Sequence, residues 1–80
     1  MPENRLQGVA ATLLDEALSH ARHLSGLRQI VLTVTTNNLS AASLYRSRGF
    51  ERFGLERDAL FINGIYFDEE HLALHFNHDA

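Results

Sequence analysis

Tyr45 carries the most versatile single group in the chain. Its phenol can hand a proton to a departing anion. It can equally rest in a core with its hydroxyl against a backbone carbonyl. The spacing of Asn38, Ala41 and Tyr45 sets these residues near one side of a short helix. Spacing alone leaves both readings of the tyrosine open, and the packed core tyrosine is the commoner arrangement.

A second cluster is Arg5-Leu6-Gln7-Gly8-Val9-Ala10, at the expected mouth of the first helix. Free backbone N–H groups and the positive end of the helix dipole make such a mouth attractive to anions. Gly8 would let the backbone approach a bulky phosphate. Arg5 would add a charge-assisted contact. The same residues also read as a plain lead-in to a helix, with a glycine kept for packing. One glycine is too few for a Walker loop or a dinucleotide fingerprint.

The histidines offer less. His20 and His23 stand at i, i+3, and His71 and His75 share a strand face with Ala73 between them. Neither pair brings a third ligand, so no metal site is read. There is no cysteine and no GxSxG elbow. Asp68-Glu69-Glu70 reads as a solvated strand edge that discourages aggregation.

These residues sit in a chain of 80, enough for one thin domain. Hydrophobic residues at 45% and charged residues at 21% are an ordinary globular balance. A net charge of -3 makes nucleic acid a poor partner. No apolar run approaches the ~20 residues of a membrane span, so no membrane association is expected. The absence of cysteine fits a cytoplasmic setting.

The elements that must position the candidates follow from pattern. Val9, Ala10, Leu13, Leu14, Ala17, Leu18, Ala21 and Leu24 form an apolar stripe and predict a helix over 8–24. Ile30 to Thr35 is β-branched and apolar on both sides, so it predicts a buried strand of the kind found in parallel sheets. A helix feeding such a strand is the second half of a βαβ unit, whose first strand is not in the chain. Asn37 or Asn38 caps a helix over 39–48, closed by Gly49 with Phe50 folding back. Asn63-Gly64 then predicts a two-residue hairpin turn pairing Ile62 with Ile65. That register sets Leu55 opposite Leu72, Phe53 opposite Leu74 and Arg57 opposite Glu70. It also sets Asp58 opposite Glu69, a like-charge pair that argues for a bulge or for solvent at that level.

Together the motifs resemble those of the GCN5-related N-acetyltransferases (GNAT). Arg5-x-x-Gly8-x-Ala10 followed by Leu13-Leu14 resembles the family's acyl-CoA pyrophosphate loop. Leu6 stands where many members have glycine. Asn38-x-x-Ala41-x-x-Leu44-Tyr45-x-x-x-Gly49-Phe50 resembles its next signature. Gly54-x-Glu56-x-x-Ala59 and Asn63-Gly64-x-Tyr66-x-Asp68-Glu69 are similar to a subgroup acting on amino acids or protein amino termini. The three motifs, in the family's order, cover nearly the whole chain.

The resemblance implies a mixed α/β fold, part of the acyl-CoA N-acyltransferase fold, in the order helix-strand-helix-strand-strand. It implies acetyl-CoA as cofactor and a primary amine as acceptor, joined by direct attack on the thioester. Backbone amides around Leu6, Gln7, Gly8, Val9 and Ala10 would hold the pyrophosphate, flanked by Arg5. Asn38 would lie beside the pantetheine arm. Tyr45 would hydrogen-bond the thioester sulfur and protonate the departing thiolate. Family members are about twice as long, so residues 1–80 are expected to be the carboxy-terminal half of a domain. A homodimer or a complementing partner chain would then supply the rest. The alternatives are a non-catalytic coenzyme A-binding remnant and an α/β interaction module that pairs through a sheet edge.

Overall fold

A computed structural model describes residues 2–76, with side chains from residue 8 onward. The order is α1 (Pro2–Arg22), β1 (Gln29–Thr35), α2 (Leu39–Ser47), β2 (Glu51–Ile62) and β3 (Ile65–His75). This is the expected mixed α/β sequence of elements. The strands form one sheet in the order β1-β3-β2, with both pairings antiparallel.

Register decides the two faces of the sheet. Ile30 lies opposite Leu74, Leu32 opposite Leu72, and Val34 opposite Glu70, so these six share one face. Val34, Leu72 and Leu74 pack there with Leu18 of α1, Ala42 of α2 and Phe50. Both helices therefore cover the same face. Glu70, 4% exposed within this apolar layer, is satisfied by Arg46 of α2 at 2.5 Å. A buried carboxylate needs such a partner. No helix among the described residues is long and apolar enough to cross a membrane.

The run Asp68-Glu69-Glu70 is not a solvated edge, because β3 is the central strand and Glu70 is buried. Three further expectations are corrected. First, α1 begins at Pro2, not at residue 8. Proline suits the first helical position, Glu3 suits the first turn, and Arg5, Leu6 and Gln7 are good helix formers. Second, β1 is not buried on both sides. Its exposure alternates, with Val34 buried and Val31 half exposed, because both helices lie on one face. Its observed partner is antiparallel β3; a parallel partner does not occur among the described residues. Third, the hairpin register holds only near its tip. Ile62 pairs with Ile65 as expected, but Leu55 lies opposite Glu70 and Arg52 opposite Leu72. A bulge between Glu56 and Leu60 sets three residues against Asp68, and a second at Phe53 adds one more. Glu70 accordingly takes Arg46 instead of the expected Arg57.

More than half of the α1 stripe also lacks a cover. Leu18 and Ala21 are buried, while Val9 is 53% and Leu13 62% exposed.

Candidate functional site

Local backbone chemistry fixes Tyr45. The N–H of Gly49 donates to the carbonyl of Arg46, and that of Phe50 to the carbonyl of Tyr45. These two bonds make the paired closure of a helix end that needs a left-handed residue, and Gly49 supplies it at φ 97°. A Cβ at Gly49 would also stand 3.2 Å from Leu74 Cδ1. The closure folds Phe50 back against Tyr45, ring centroids 5.6 Å apart and edge to face. At the other end of α2, Asn38 is the cap: its Oδ1 accepts from the Ala41 N–H at 3.2 Å.

Between the helices lies a cleft of about 540 Å³, lined by Ala10 of α1 and by Asn38, Ala41, Leu44 and Tyr45, with three serines. Three candidates drawn from two separate motifs, Ala10 from one and Asn38 and Tyr45 from the other, thus meet on one concavity. Tyr45 is half-buried, and its phenol has no hydrogen-bond partner among the described residues. The hydroxyl-to-carbonyl contact of a core tyrosine is not formed.

The helices are tied beside the cleft by Arg48, whose Nε and Nη2 each donate to a different oxygen of Asp15 at 2.9 Å. This hydrogen bond is the main cause that holds the Asp15 carboxyl below its ordinary 3.8. A lowered folded value means the tie stabilises above about pH 4 and is lost as pH falls through it. The melting-temperature gap between the native chain and Asp15→Asn is therefore expected to be small but positive near neutrality. It should close as the pH is taken below the carboxylate range. A gap that widened in acid would contradict this.

The remaining candidates are placed differently from expectation. Gly8, Val9 and Ala10 lie inside the continuous α1, as does the backbone of Arg5, Leu6 and Gln7. The side chains of those last three lie outside the described residues. In a helix, amides at 7–10 are directed to carbonyls four residues back, so they do not form an open mouth. Space around Gly8 is nevertheless open: a Cβ there would meet nothing within 4 Å.

The sequence reading missed one polar constellation. Thr33 Oγ1 lies 3.1 Å from His71 Nδ1, and His71 Nε2 lies 3.3 Å from Glu56 Oε1. The row depends on β1 lying beside β3, which no local signal announces. Among the described residues, no group of three or more histidine or acidic side chains could hold a metal ion.

Residues 1–50 match the Acetyltransferase (GNAT) family. The chain is similar to a mycothiol acetyltransferase of Geodermatophilus obscurus, 38% identical over 69% of this chain and 18% of that protein. Among solved structures it is similar to an acetyltransferase of the GNAT family from Streptococcus pneumoniae, with TM-score 0.82, 31% identity, and coverage of 86% of this chain and 42% of that one. It is also similar to a variant of the spermidine N-acetyltransferase of Vibrio cholerae, with TM-score 0.78, 33% identity, and coverage of 94% and 44%. The chain thus spans less than half the length of each of these relatives.

Proposed function

Because the chain belongs to the acetyltransferase (GNAT) family, we propose that its α1–α2 cleft takes the pantetheine arm of acetyl-CoA and that Tyr45 protonates the departing thiolate while a primary amine receives the acetyl group. The observation that carries this reading is the unpartnered Tyr45 phenol, lining the same cleft as Asn38 and Ala10. The cleft fits the arm in size and character, being apolar with a few polar groups. When bound, acetyl-CoA supplies an activated acyl carbon with a sulfur leaving group.

The chain's own residues do the rest. The Asn38 Oδ1 is committed to its cap, so its amide nitrogen is the group offered to the arm. Packing on Phe50 holds the Tyr45 ring, so the phenol points where the helix end sets it. The pyrophosphate belongs at Arg5, Leu6, Gln7, Gly8, Val9 and Ala10, and this requires the first turns of α1 to open so that the helix begins at Gly8.

That requirement makes Gly8 a two-sided test. In the helical form, Gly8→Ala meets no obstacle and should raise stability by about 1 kcal/mol. The same methyl should weaken coenzyme A binding, and Gly8→Glu should abolish it by placing bulk and charge at the phosphate site. A stabilised Gly8→Ala chain that bound coenzyme A unchanged would remove Gly8 from the site.

The reading extends to assembly. Residues 1–80 form the carboxy-terminal half of such a domain, and a second copy or a complementing chain covers Val9, Leu13 and the open edge of β1. The exposure of these apolar side chains supports it. A dimeric mass by light scattering is expected, and a monomer at high concentration would count against the homodimer. The polyamine acceptor named for one relative supports a primary amine as the substrate class.

A further inference from the structure

We propose that Thr33, His71 and Glu56 form a proton relay across the sheet that deprotonates the attacking amine. The proposal rests on the acetyl-transfer reading above and adds to it the group that accepts the proton.

The three residues come from three strands, in the order of the sheet. Thr33 of β1 pairs directly with His71 of β3, and Glu56 reaches His71 from β2. All lie on the face opposite Leu32, Val34 and Leu72, which no described helix covers. The row ends at β1, whose other edge has no strand against it among the described residues. Tyr45 packs against the opposite face. A thioester lying along the open edge of β1 would therefore have the phenol on one side and the Thr33 hydroxyl on the other. Direct transfer needs that division, with an acid beside the sulfur and a base beside the nitrogen.

The ring is held as a working base must be. His71 lies beside Gly54, where even a Cβ would stand 3.6 Å from His71 Cδ2, and Phe53 lies tilted with its centroid 6.0 Å away. With Nε2–H donated to Glu56, Nδ1 is left to accept from the Thr33 hydroxyl. As the amine nitrogen bonds to the acyl carbon and the C–S bond breaks, Thr33 Oγ1 takes the amine proton. Thr33 passes its own proton to His71 Nδ1. The thiolate takes the phenol proton of Tyr45, and the two groups reset through solvent. The other titratable residues on that face are Glu51 on β2 and Glu69 and His75 on β3.

The test uses the full chain, coenzyme A by calorimetry, ¹⁵N spectra of the imidazole, and three amine probes: spermidine, cysteine amide and a tripeptide with a free amino terminus. The spectra should show the Nε2–H tautomer in the native chain and lose that preference in Glu56→Gln. With acetyl-CoA, His71→Gln and Thr33→Val should keep coenzyme A affinity and lose about a hundredfold or more in thiol release. Glu56→Gln, an exposed substitution that spares the fold, should lose less and move the pH profile. Native rates in His71→Gln, or acetyl found on Thr33 by mass spectrometry, would overturn the relay. A chain that binds coenzyme A yet acetylates none of the three amines would also overturn it. Failure to bind coenzyme A would remove the acetyl-transfer reading itself, and the relay with it.

Discussion

Tyr45→Phe is expected to lower turnover by about 10²–10⁴-fold, the usual worth of a positioned acid, with little change in coenzyme A affinity. The split follows from what the substitution keeps. Phenylalanine retains the ring that packs on Phe50 at 5.6 Å, and it leaves the Gly49 closure of α2 untouched. Only the phenol oxygen is lost, and that oxygen makes no hydrogen bond within the described residues. A stability loss is therefore not expected, and an altered melting temperature would show that the hydroxyl had a structural partner. Steady-state rates set beside calorimetry read the two effects separately. Unchanged turnover would take Tyr45 out of the chemistry.

Leu72→Ala should cost about 2–5 kcal/mol, read as a shifted midpoint in urea. Leu72 is 0% exposed, sits on the central strand β3, and lies opposite Leu32 within the layer that both helices cover. Its removal leaves a cavity among side chains that the sheet holds apart. Total stability in small domains starts near ~5 kcal/mol, so this one change is expected to consume most of it. Leu13→Ala is the matched control, since that side chain is 62% exposed and should matter far less to the isolated fold.

What the sequence disclosed, and what it did not, divides along sequence distance. The Asn38 cap, the Gly49 closure with its Phe50 contact, and the Asn63-Gly64 turn, with φ of 51° and 80°, are all visible in the residues because each is decided by neighbours. These local features build the Tyr45 side of the cleft. The like-charge clash expected at Asp58 left a bulge or solvent as alternatives, and the bulge is what forms. Asp58 takes φ 54° and donates its N–H to Asp68 Oδ1 at 2.9 Å. Its size is not legible locally, because three residues stand against one where that side-chain bond forms across the strands. Every pairing beyond the bulge is displaced in consequence.

Adjacency was harder still. Nothing local says that β1 lies beside β3, so the Thr33–His71 contact is invisible in the sequence, where His71 offers only a metal-ligand reading. The start of α1 misled for the opposite reason. Residues 3–7 favour a helix by themselves, whereas the reading of an open phosphate loop assigns them a role that depends on a ligand. The Gly8 variants measure that competition.

The central claim is that this chain presents an acyl-CoA site between α1 and α2. Titration of coenzyme A into the full chain by calorimetry tests it most directly. Saturable heat at one site per chain, abolished in Gly8→Glu and kept in Tyr45→Phe, is the predicted result. No heat and no thermal shift at millimolar coenzyme A would contradict it.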